Sequence, residues 1–379
     1  LRSLVGSEMC IRDRLYTMIS KKILEYSVIF TNRATNLMSN KYQHCVRDIT
    51  HNLCNVYKAQ QCALIPGSGT IGMESVARQF ANNKDCLIIR NGYFSYRWSQ
   101  ILDIGKITDK ANVIKGTLDD SNRISPPDIN MVCDWIENNK PSLVCAPHVE
   151  TSTGVMLTND YIKKIGKSVR NVGGLFCLDG IASGTVWINM KELNVDLYLT
   201  APQKGWSSPA SVGVVMLGQH ALDQLNNTQS SSFTLDLSKW CDVSSSYQDG
   251  GFMYHCTVPT DSLLEFKRNI DETLEYGLDK CHENANILGN EIRHLLESKG
   301  YHSVASNDYK SPTVVVSYCD DNMVPSFLNQ GIQVAGYVPF MLDEPPGLNT
   351  FRIGLFGLDK LKDTKKTLHD FNLGLQKIK

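Results

Sequence analysis

Between Gln61 and Leu217 the sequence alternates short apolar runs with amphipathic stretches, and this alternation restricts the possible folds more than any other feature. The runs, about four to eight residues long, are rich in β-branched residues and end at Gly, Pro, Asp or Asn, as buried strands do. Stretches such as "GMESVARQFANN" between them have the apolar spacing of helices. Strands alternating with helices predict an α/β fold with an open, mostly parallel sheet covered on both faces.

The pattern changes after Tyr254. A long helical pattern, from one bent helix or two, ends at Gly300 and precedes the strand-like runs "SPTVVVSY", "GIQVAG" and "FRIGLFG" and a helix from about Leu358. We expect a smaller α+β unit here. The predicted division is a large domain with its N-terminal segment at 15–260 and a small C-terminal domain at 261–379.

The opening stretch "LRSLVGSEMCIRDR" resembles the translation of a sequencing adapter. We therefore expect residues 1–14 to be an artefact and exclude them from the fold prediction. The native N-terminus is then expected near Met18, or it is missing from the sequence.

Composition excludes several classes of function. A formal net charge of -1 without a basic run gives no signal for nucleic acid binding. The apolar runs are far shorter than the roughly 20 residues of a membrane helix. The 12 cysteines are scattered, with no CxxC pair and no Cys/His cluster of metal-ligand spacing. We expect a cytoplasmic enzyme with reduced thiols, no metal, no membrane partner and no nucleic acid partner.

In a parallel sheet, ligands bind beyond the carboxyl ends of the strands, so polar residues after each apolar run are site candidates. The turn "PGSGT" after the first run opens a helix, which suits a phosphate, although such turns are often only helix caps. The segment "NGYFSYRW" after the second run offers aromatic rings for stacking or for ordinary packing, those of Tyr93, Phe94, Tyr96 and Trp98. Asp179 directly follows "GLFCL", where a carboxylate is costly without a cation or several donors.

Lys204 follows the next run, in "YLTAPQKGWSSP". Alone it is most simply a solvated lysine. Together, a lysine, a carboxylate, a phosphate turn and a stacking ring fit pyridoxal 5′-phosphate, which needs an amine for an imine, an acid for its ring nitrogen and an anion cradle. The dinucleotide and P-loop patterns GxGxxG and GxxxxGK[ST] are absent from the sequence.

From about Glu25 onward the chain resembles the class V, fold type I aminotransferases, with a pattern similar to the alanine–glyoxylate and serine–glyoxylate (serine–pyruvate) aminotransferases. The matching pieces are "GSGT", "NGYFSYRW", "HVETSTGV", "LDGIASG", "APQKGW", "MYHCTVP" and "FRIGLFG". The resemblance implies a three-layer fold type I architecture with a mostly parallel central sheet. It also implies a pyridoxal 5′-phosphate cofactor and transfer of an amino group between small amino and 2-oxo acids.

The resemblance assigns roles residue by residue. Lys204 would form the imine and move a proton, Asp179 would pair with the ring nitrogen, and Phe94 would stack on the ring. The other cofactor-binding residues of this chain would be Ser68, Gly69, Thr70, Thr151, Ile181 and Gln203.

Two further roles come from the resemblance. Tyr254 and Thr257 would reach the phosphate of a partner subunit in a homodimer, and Arg352 would bind the substrate carboxylate as a bidentate pair. We expect alanine or serine as amino donor and glyoxylate or pyruvate as acceptor.

Trp206 is expected beside the Lys204 amine, where burial would lower the pKa of that amine. With no further arginine expected beside the strand ends, we predict poor use of aspartate and glutamate.

Three alternatives remain at this point. A cysteine desulfurase or selenocysteine lyase would place His where Phe94 and Gln203 stand, and a mobile Cys where Cys319 ends a strand-like run. A 2-aminoethylphosphonate–pyruvate aminotransferase is compatible with Arg352. The third alternative is a binding protein that has lost catalysis.

Overall fold

The computed structural model describes residues 23–378 of the chain. The segment 1–14 and Met18, to which the adapter and N-terminus expectations apply, lie outside the described residues. The strands are β1 (Gln61–Pro66), β2 (Cys86–Arg90), β3 (Ala111–Lys115), β4 (Thr117–Leu118), β5 (Ile124–Ser125), β6 (Leu143–Pro147), β7 (Leu175–Asp179), β8 (Leu197–Thr200), β9 (Val212–Leu217), β10 (Val314–Cys319) and β11 (Asn349–Gly354).

The central sheet confirms the predicted α/β class. Its seven strands lie in the order β1-β9-β8-β7-β6-β2-β3. Neighbouring strands from β3 to β8 pair in parallel, whereas β9 runs antiparallel to both β8 and β1. The carboxyl ends of β1, β2, β6, β7 and β8 therefore meet at one edge, which is where a ligand site is expected.

Helices follow the strands as the amphipathic pattern predicts. They are α1 (Asn40–Tyr57), α2 (Gly69–Phe80), α3 (Tyr93–Ile104), α4 (Ile129–Asn139), α5 (Asn159–Asn171), α6 (Met190–Leu193), α7 (Gln219–Leu225), α8 (Leu237–Gln248), α9 (Thr260–Tyr276), α10 (Leu278–Ser298), α11 (Val324–Asn329), α12 (Leu358–Leu361) and α13 (Thr364–Leu375). The long helical pattern after Tyr254 is two helices, α9 and α10. They are separated at Gly277, whose φ of +103° favours glycine.

Two details of the C-terminal part differ from the prediction. The run "GIQVAG" is not a strand, because it reaches β11 only through a bridge between Ala335 and Arg352. The C-terminal helix begins at Leu358 as expected but is interrupted after Leu361. The Asp363 side chain then caps α13 by accepting a hydrogen bond from the Lys366 N–H.

The buried apolar residues form three clusters. The largest packs the central sheet against its helices and includes Leu263, Phe266 and Ile270 of α9. A second joins α10, α13, β10 and β11. In the third cluster, Val149 and Ala182, which lie at the carboxyl edge of the central sheet, pack with residues of the C-terminal part such as Phe340. We propose that the two predicted domains meet at this third cluster, with α9 packed on the large one.

Candidate active site

A cavity of about 200 Å³ lies at the carboxyl edge of the central sheet. Its wall includes every cofactor-binding residue predicted from the large domain except those assigned to a partner subunit. These residues are Ser68, Gly69, Thr70, Phe94, Thr151, Asp179, Ile181, Gln203 and Lys204. The remaining wall residues are Met73, Arg97, Pro147, Val149 and Ala182.

Lys204 lies in the turn after β8. Within residues 23–378 its Nζ makes no hydrogen bond or ion pair, and it lies 5.1 Å from the centre of the Phe356 ring. Burial lowers the pKa of this amine, the positive charge of Arg352 lowers it further, and the charge of Asp179 opposes the shift. A lowered pKa increases the neutral fraction of the amine, which is the form that attacks a carbonyl.

The expectation that Trp206 lies beside the amine is wrong. Trp206 is fully buried and packs on Trp187, with ring centres 4.8 Å apart, and it is not part of the cavity wall. The turn explains this arrangement. Gly205 passes so close to the Gly184 carbonyl that a Cβ would overlap it, and the next side chain enters the core. Phe356, within the "FRIGLFG" motif, is the aromatic residue near the amine.

Asp179 is the last residue of β7 and is only 7% exposed. Its Oδ1 accepts a hydrogen bond of 3.0 Å from the Ile181 N–H. Burial raises the pKa of this carboxyl to about 7, and the charge of Glu150 adds to the shift, while Arg97 and Lys204 oppose it. A buried carboxylate with one donor and no ion pair within the described residues suits a ligand that supplies an N–H cation.

The N-terminus of α2 forms one end of the cavity. Ser68 precedes the helix without a capping side-chain hydrogen bond, and its carbonyl accepts from the N–H groups of Ile71 and Gly72. The N–H groups of Gly69 and Thr70 therefore keep their capacity to donate. A Cβ on Gly69 would lie 2.5 Å from the Ile181 side chain, so glycine at this position lets Ile181 pack against the start of the helix. The Thr70 hydroxyl accepts a 2.9 Å hydrogen bond from Arg97. Donors, a helix dipole and a cation together suit a phosphate.

Glu150 fixes the first turn of α3, which carries Phe94. Its buried carboxylate accepts from the N–H groups of Phe94 at 3.1 Å and Ser95 at 2.8 Å, and also from the Ser95 hydroxyl. The Ser152 N–H and hydroxyl complete its donors. Sequence reasoning missed this residue, although it lies within "HVETSTG". The signal was a carboxylate just beyond an apolar strand.

Arg97 and Arg352 both lie over the Phe94 ring, with guanidinium carbons 5.2 Å and 5.6 Å from its centre. Arg352, on β11, donates from Nε to the Gly336 carbonyl at 3.0 Å. Burial lowers the pKa of Arg352, and the charge of Glu150 opposes this. Neither arginine forms an ion pair in the described part of the chain. Arg97 overturns the expectation that no further arginine lies beside the strand ends.

Tyr254 and Thr257 are not part of this cavity. Their hydroxyl groups lie 3.2 Å apart, and Tyr254 is 52% exposed. The segment that carries them connects α8 to α9 and packs on the large core through Met253, Cys256 and Val258. The structure of one chain therefore does not bring these two side chains to the predicted phosphate site.

Two other reactive side chains also lie apart from the cavity wall. His148 is buried, its Nδ1 lies 2.7 Å from the Ser183 hydroxyl, and burial lowers its pKa to about 4. Cys319 ends β10, and burial raises the pKa of its thiol to about 11, so it lacks the thiolate character of a nucleophilic cysteine. Residues 23–378 contain no cluster of metal-ligating side chains. No helix among them is long and apolar enough to cross a membrane.

Comparison with known proteins adds independent information. Residues 21–336 match the family model "Aminotransferase class-V". The alanine–glyoxylate aminotransferase 1 of Saccharomyces cerevisiae is 27% identical over 230 residues, which cover 57% of this chain and 57% of the yeast protein, less than two thirds of its length. The serine–glyoxylate aminotransferase of Methylorubrum extorquens is 25% identical over 78% of this chain and 73% of its own.

A solved structure shows the same fold. The alanine–glyoxylate aminotransferase of Nostoc sp. superposes with a TM-score of 0.78 at 20% identity, covering 91% of this chain and 90% of its own. At this identity the match shows the α/β fold predicted from the sequence, with its mostly parallel central sheet.

Proposed function

This chain belongs to the class-V aminotransferase family, and we propose that it transfers an amino group from alanine or serine to glyoxylate or pyruvate, using pyridoxal 5′-phosphate. One observation carries the proposal. The Lys204 amine and the Asp179 carboxylate lie in the wall of one cavity, and neither has an ion-pair partner in the described chain. The names of the yeast and Methylorubrum relatives support the choice of small substrates.

The residues present fit the cofactor. The unpartnered amine of Lys204 suits an aldehyde, the Asp179 carboxylate suits a ring N–H, and the uncapped start of α2 suits a phosphate. When bound, pyridoxal 5′-phosphate supplies an electron sink for the bonds at the substrate Cα. Phe94 would hold the ring by stacking, and Asp179 would keep its nitrogen protonated.

Lys204 has two tasks in this proposal. Its amine would hold the cofactor, and the same amine would accept the proton from the substrate Cα and return it during transfer. The lowered pKa of the amine serves both tasks, because each requires a neutral nitrogen at some stage. Phe356 lies beside the amine and limits the water around it.

Arg352 is proposed to bind the α-carboxylate that amino donor and oxo acid share. Its Nε is engaged by the Gly336 carbonyl, which orients the guanidinium and leaves both Nη groups for a bidentate pair. Donor and acceptor present their carboxylates to this cation in turn, so one binding geometry serves both halves of the reaction.

We further propose a homodimer in which Tyr254 and Thr257 donate hydroxyl groups to the partner's phosphate site. The exposure of Tyr254 supports this proposal, as does its position outside the cavity of its own chain. We propose the cytoplasm as location, because the cysteines among the described residues are free thiols, as expected in a reducing compartment.

The proposal is tested by replacing the lysine. The purified protein incubated with pyridoxal 5′-phosphate should gain the visible absorption of a covalently bound cofactor and should transaminate. Lys204→Ala should lose the covalent attachment and nearly all turnover. The control is Lys163→Ala, at an exposed position on α5. Transamination by Lys204→Ala at the parent rate would exclude the assignment.

A further inference from the structure

Arg97 was not among the predicted site residues, yet it joins the cavity wall to the start of α2. We propose, resting on the proposed function, that Arg97 is a positioning residue for the cofactor phosphate. It orients the Thr70 hydroxyl toward the phosphate and adds a positive charge, so the site prefers the phosphorylated cofactor to pyridoxal.

The direction of one hydrogen bond supports this role for Arg97. Arg97 Nη1 lies 2.9 Å from Thr70 Oγ1. A guanidinium has donors only, so the threonine oxygen must accept this bond. Its own proton is then directed away from Arg97 and is free to be donated elsewhere. Thr70 is the second residue of α2, where the helix N–H groups already favour an anion.

The charge of Arg97 supports this role as well. Arg97 has no ion-pair partner among residues 23–378. Its charge acts on the Asp179 carboxyl without a contact, and the Glu150 carboxylate is already occupied by the N–H and hydroxyl donors of Phe94, Ser95 and Ser152. Arg97 therefore contributes a positive charge that the surrounding protein does not neutralise through a contact. A dianionic phosphate at the N-terminus of α2 would satisfy it.

The Arg97 side chain is also held rigidly. The Arg97 guanidinium lies over the face of the Phe94 ring, 5.2 Å from its centre. Both residues belong to α3, whose first turn is fixed by Glu150. The side chain is thus held at two points, by the ring and by Thr70. A cation fixed in this way can select a ligand group with little loss of side-chain entropy.

The test compares two ligands that differ only in the phosphate. Cofactor-free parent, Arg97→Gln and Thr70→Val proteins are titrated with pyridoxal 5′-phosphate and with pyridoxal, and binding is followed by protein fluorescence. Arg97→Gln should weaken the phosphorylated ligand about tenfold or more and change pyridoxal binding little. Arg97→Lys, which keeps the charge, should retain more of the preference. Arg268→Gln, at an exposed position on α9, is the control.

A double variant tests the route through Thr70. If Arg97 acts through the hydroxyl, Arg97→Gln combined with Thr70→Val should lose less than the product of the two single losses. Equal weakening of both ligands by Arg97→Gln would overturn the proposal. Unchanged affinity for pyridoxal 5′-phosphate with a raised KM for alanine or serine would also overturn it and make Arg97 a substrate residue. A parent protein that binds neither ligand would refute the proposed function itself.

Discussion

At the residue scale, Asp179 and Lys204 are both held in surroundings that oppose their charge. Burial raises the pKa of Asp179 to about 7 and lowers the pKa of Lys204. In the cofactor-free protein these side chains cost folding free energy, because water would solvate the charged forms better. A ligand that brings a cation to the carboxylate and an aldehyde to the amine offsets this cost.

The first prediction concerns Asp179→Asn in the cofactor-free protein. The Asp179 carboxyl has a pKa of about 7 when folded and about 4 when unfolded. The folded state therefore gains stability by binding this proton more tightly, and that stability is lost as the pH rises through 7. At pH 8 the variant should therefore unfold at a higher temperature than the parent. Its free energy of unfolding should exceed that of the parent by an amount on the order of a few kcal/mol. The difference should shrink steadily between pH 7 and about 4.

Cofactor should reverse the order, because the carboxylate then has its cation. Thermal unfolding followed by circular dichroism, with and without pyridoxal 5′-phosphate, measures both effects. Asp109→Asn, at an exposed position, should show neither. A cofactor-free Asp179→Asn protein less stable than the parent at pH 8 would contradict the burial argument.

At the element scale, α3 depends on a side chain from another part of the chain. A helix begins with N–H groups that have no partner inside the helix, and a carboxylate there is favourable. Glu150 provides that carboxylate from the loop after β6, and a Cβ on Gly92 would lie 2.6 Å from its Cγ. The position of Phe94, and so of the proposed stacking surface, follows from this contact.

The second prediction is that Glu150→Gln weakens cofactor binding. The amide has the same shape, but one oxygen becomes an NH₂ group that faces N–H donors. Affinity for pyridoxal 5′-phosphate should fall, and the visible circular dichroism of the bound cofactor should change because the stacking ring shifts.

Asp128→Asn is the matched control, since its carboxylate caps α4 through the Asn130 and Met131 N–H groups, both at 3.0 Å, and lies outside the cavity wall. Glu150→Gln should lose on the order of 1–3 kcal/mol of stability because a buried donor loses its acceptor. Asp128→Asn should lose little, because asparagine caps a helix about as well as aspartate. Only Glu150→Gln should bind cofactor poorly. Parent-like affinity in both would show that Glu150 serves only the stability of α3.

The elements of the large domain were predictable because buried strands and amphipathic helices leave distinct apolar patterns. The meeting of Asp179 and Lys204 followed from parallel strands, whose carboxyl ends share an edge. The antiparallel direction of β9 was not predictable, since an apolar run has no direction. "GIQVAG" was wrongly predicted as a strand for a similar reason, because apolar residues between glycines do not specify a pairing partner.

The missed residues have a different cause. Glu150 and Phe94 are 56 positions apart in sequence, and Arg97 and Thr70 are 27 apart. Hydrogen bonds over such separations leave no local pattern in the sequence. The direction of the Trp206 side chain also depends on a contact between distant residues, the close approach of Gly205 to Gly184.

At the scale of the whole molecule, one surface carries several exposed aromatic side chains. Phe233 is 75% exposed and Phe252 is 46% exposed. Phe252 precedes Tyr254 closely in the sequence, and the Phe233 carbonyl oxygen lies 2.9 Å from Nε2 of His255, the residue after Tyr254. Exposed aromatic groups of this kind are typical of protein interfaces. This surface supports the proposed homodimer, in which the partner subunit would complete each site.

The third prediction is complementation between two inactive variants. In a mixed dimer of Lys204→Ala and Tyr254→Ala chains, one site combines an intact lysine with an intact partner tyrosine. Mixing the two inactive proteins under conditions of verified subunit exchange should therefore restore part of the transaminase activity. Each variant mixed with itself serves as the control. No recovery would indicate that each site is complete within one chain.

Amino-group transfer from a small amino acid can be measured in single half-reactions. Cofactor-loaded protein is mixed with alanine, serine, aspartate, cysteine or 2-aminoethylphosphonate, without an acceptor, while the absorption of the bound cofactor is followed. We predict that alanine or serine changes the spectrum fastest, with release of the matching 2-oxo acid, and that glyoxylate or pyruvate restores it. Fast conversion of 2-aminoethylphosphonate without a response to alanine or serine, or sulfide release from cysteine, would contradict this account.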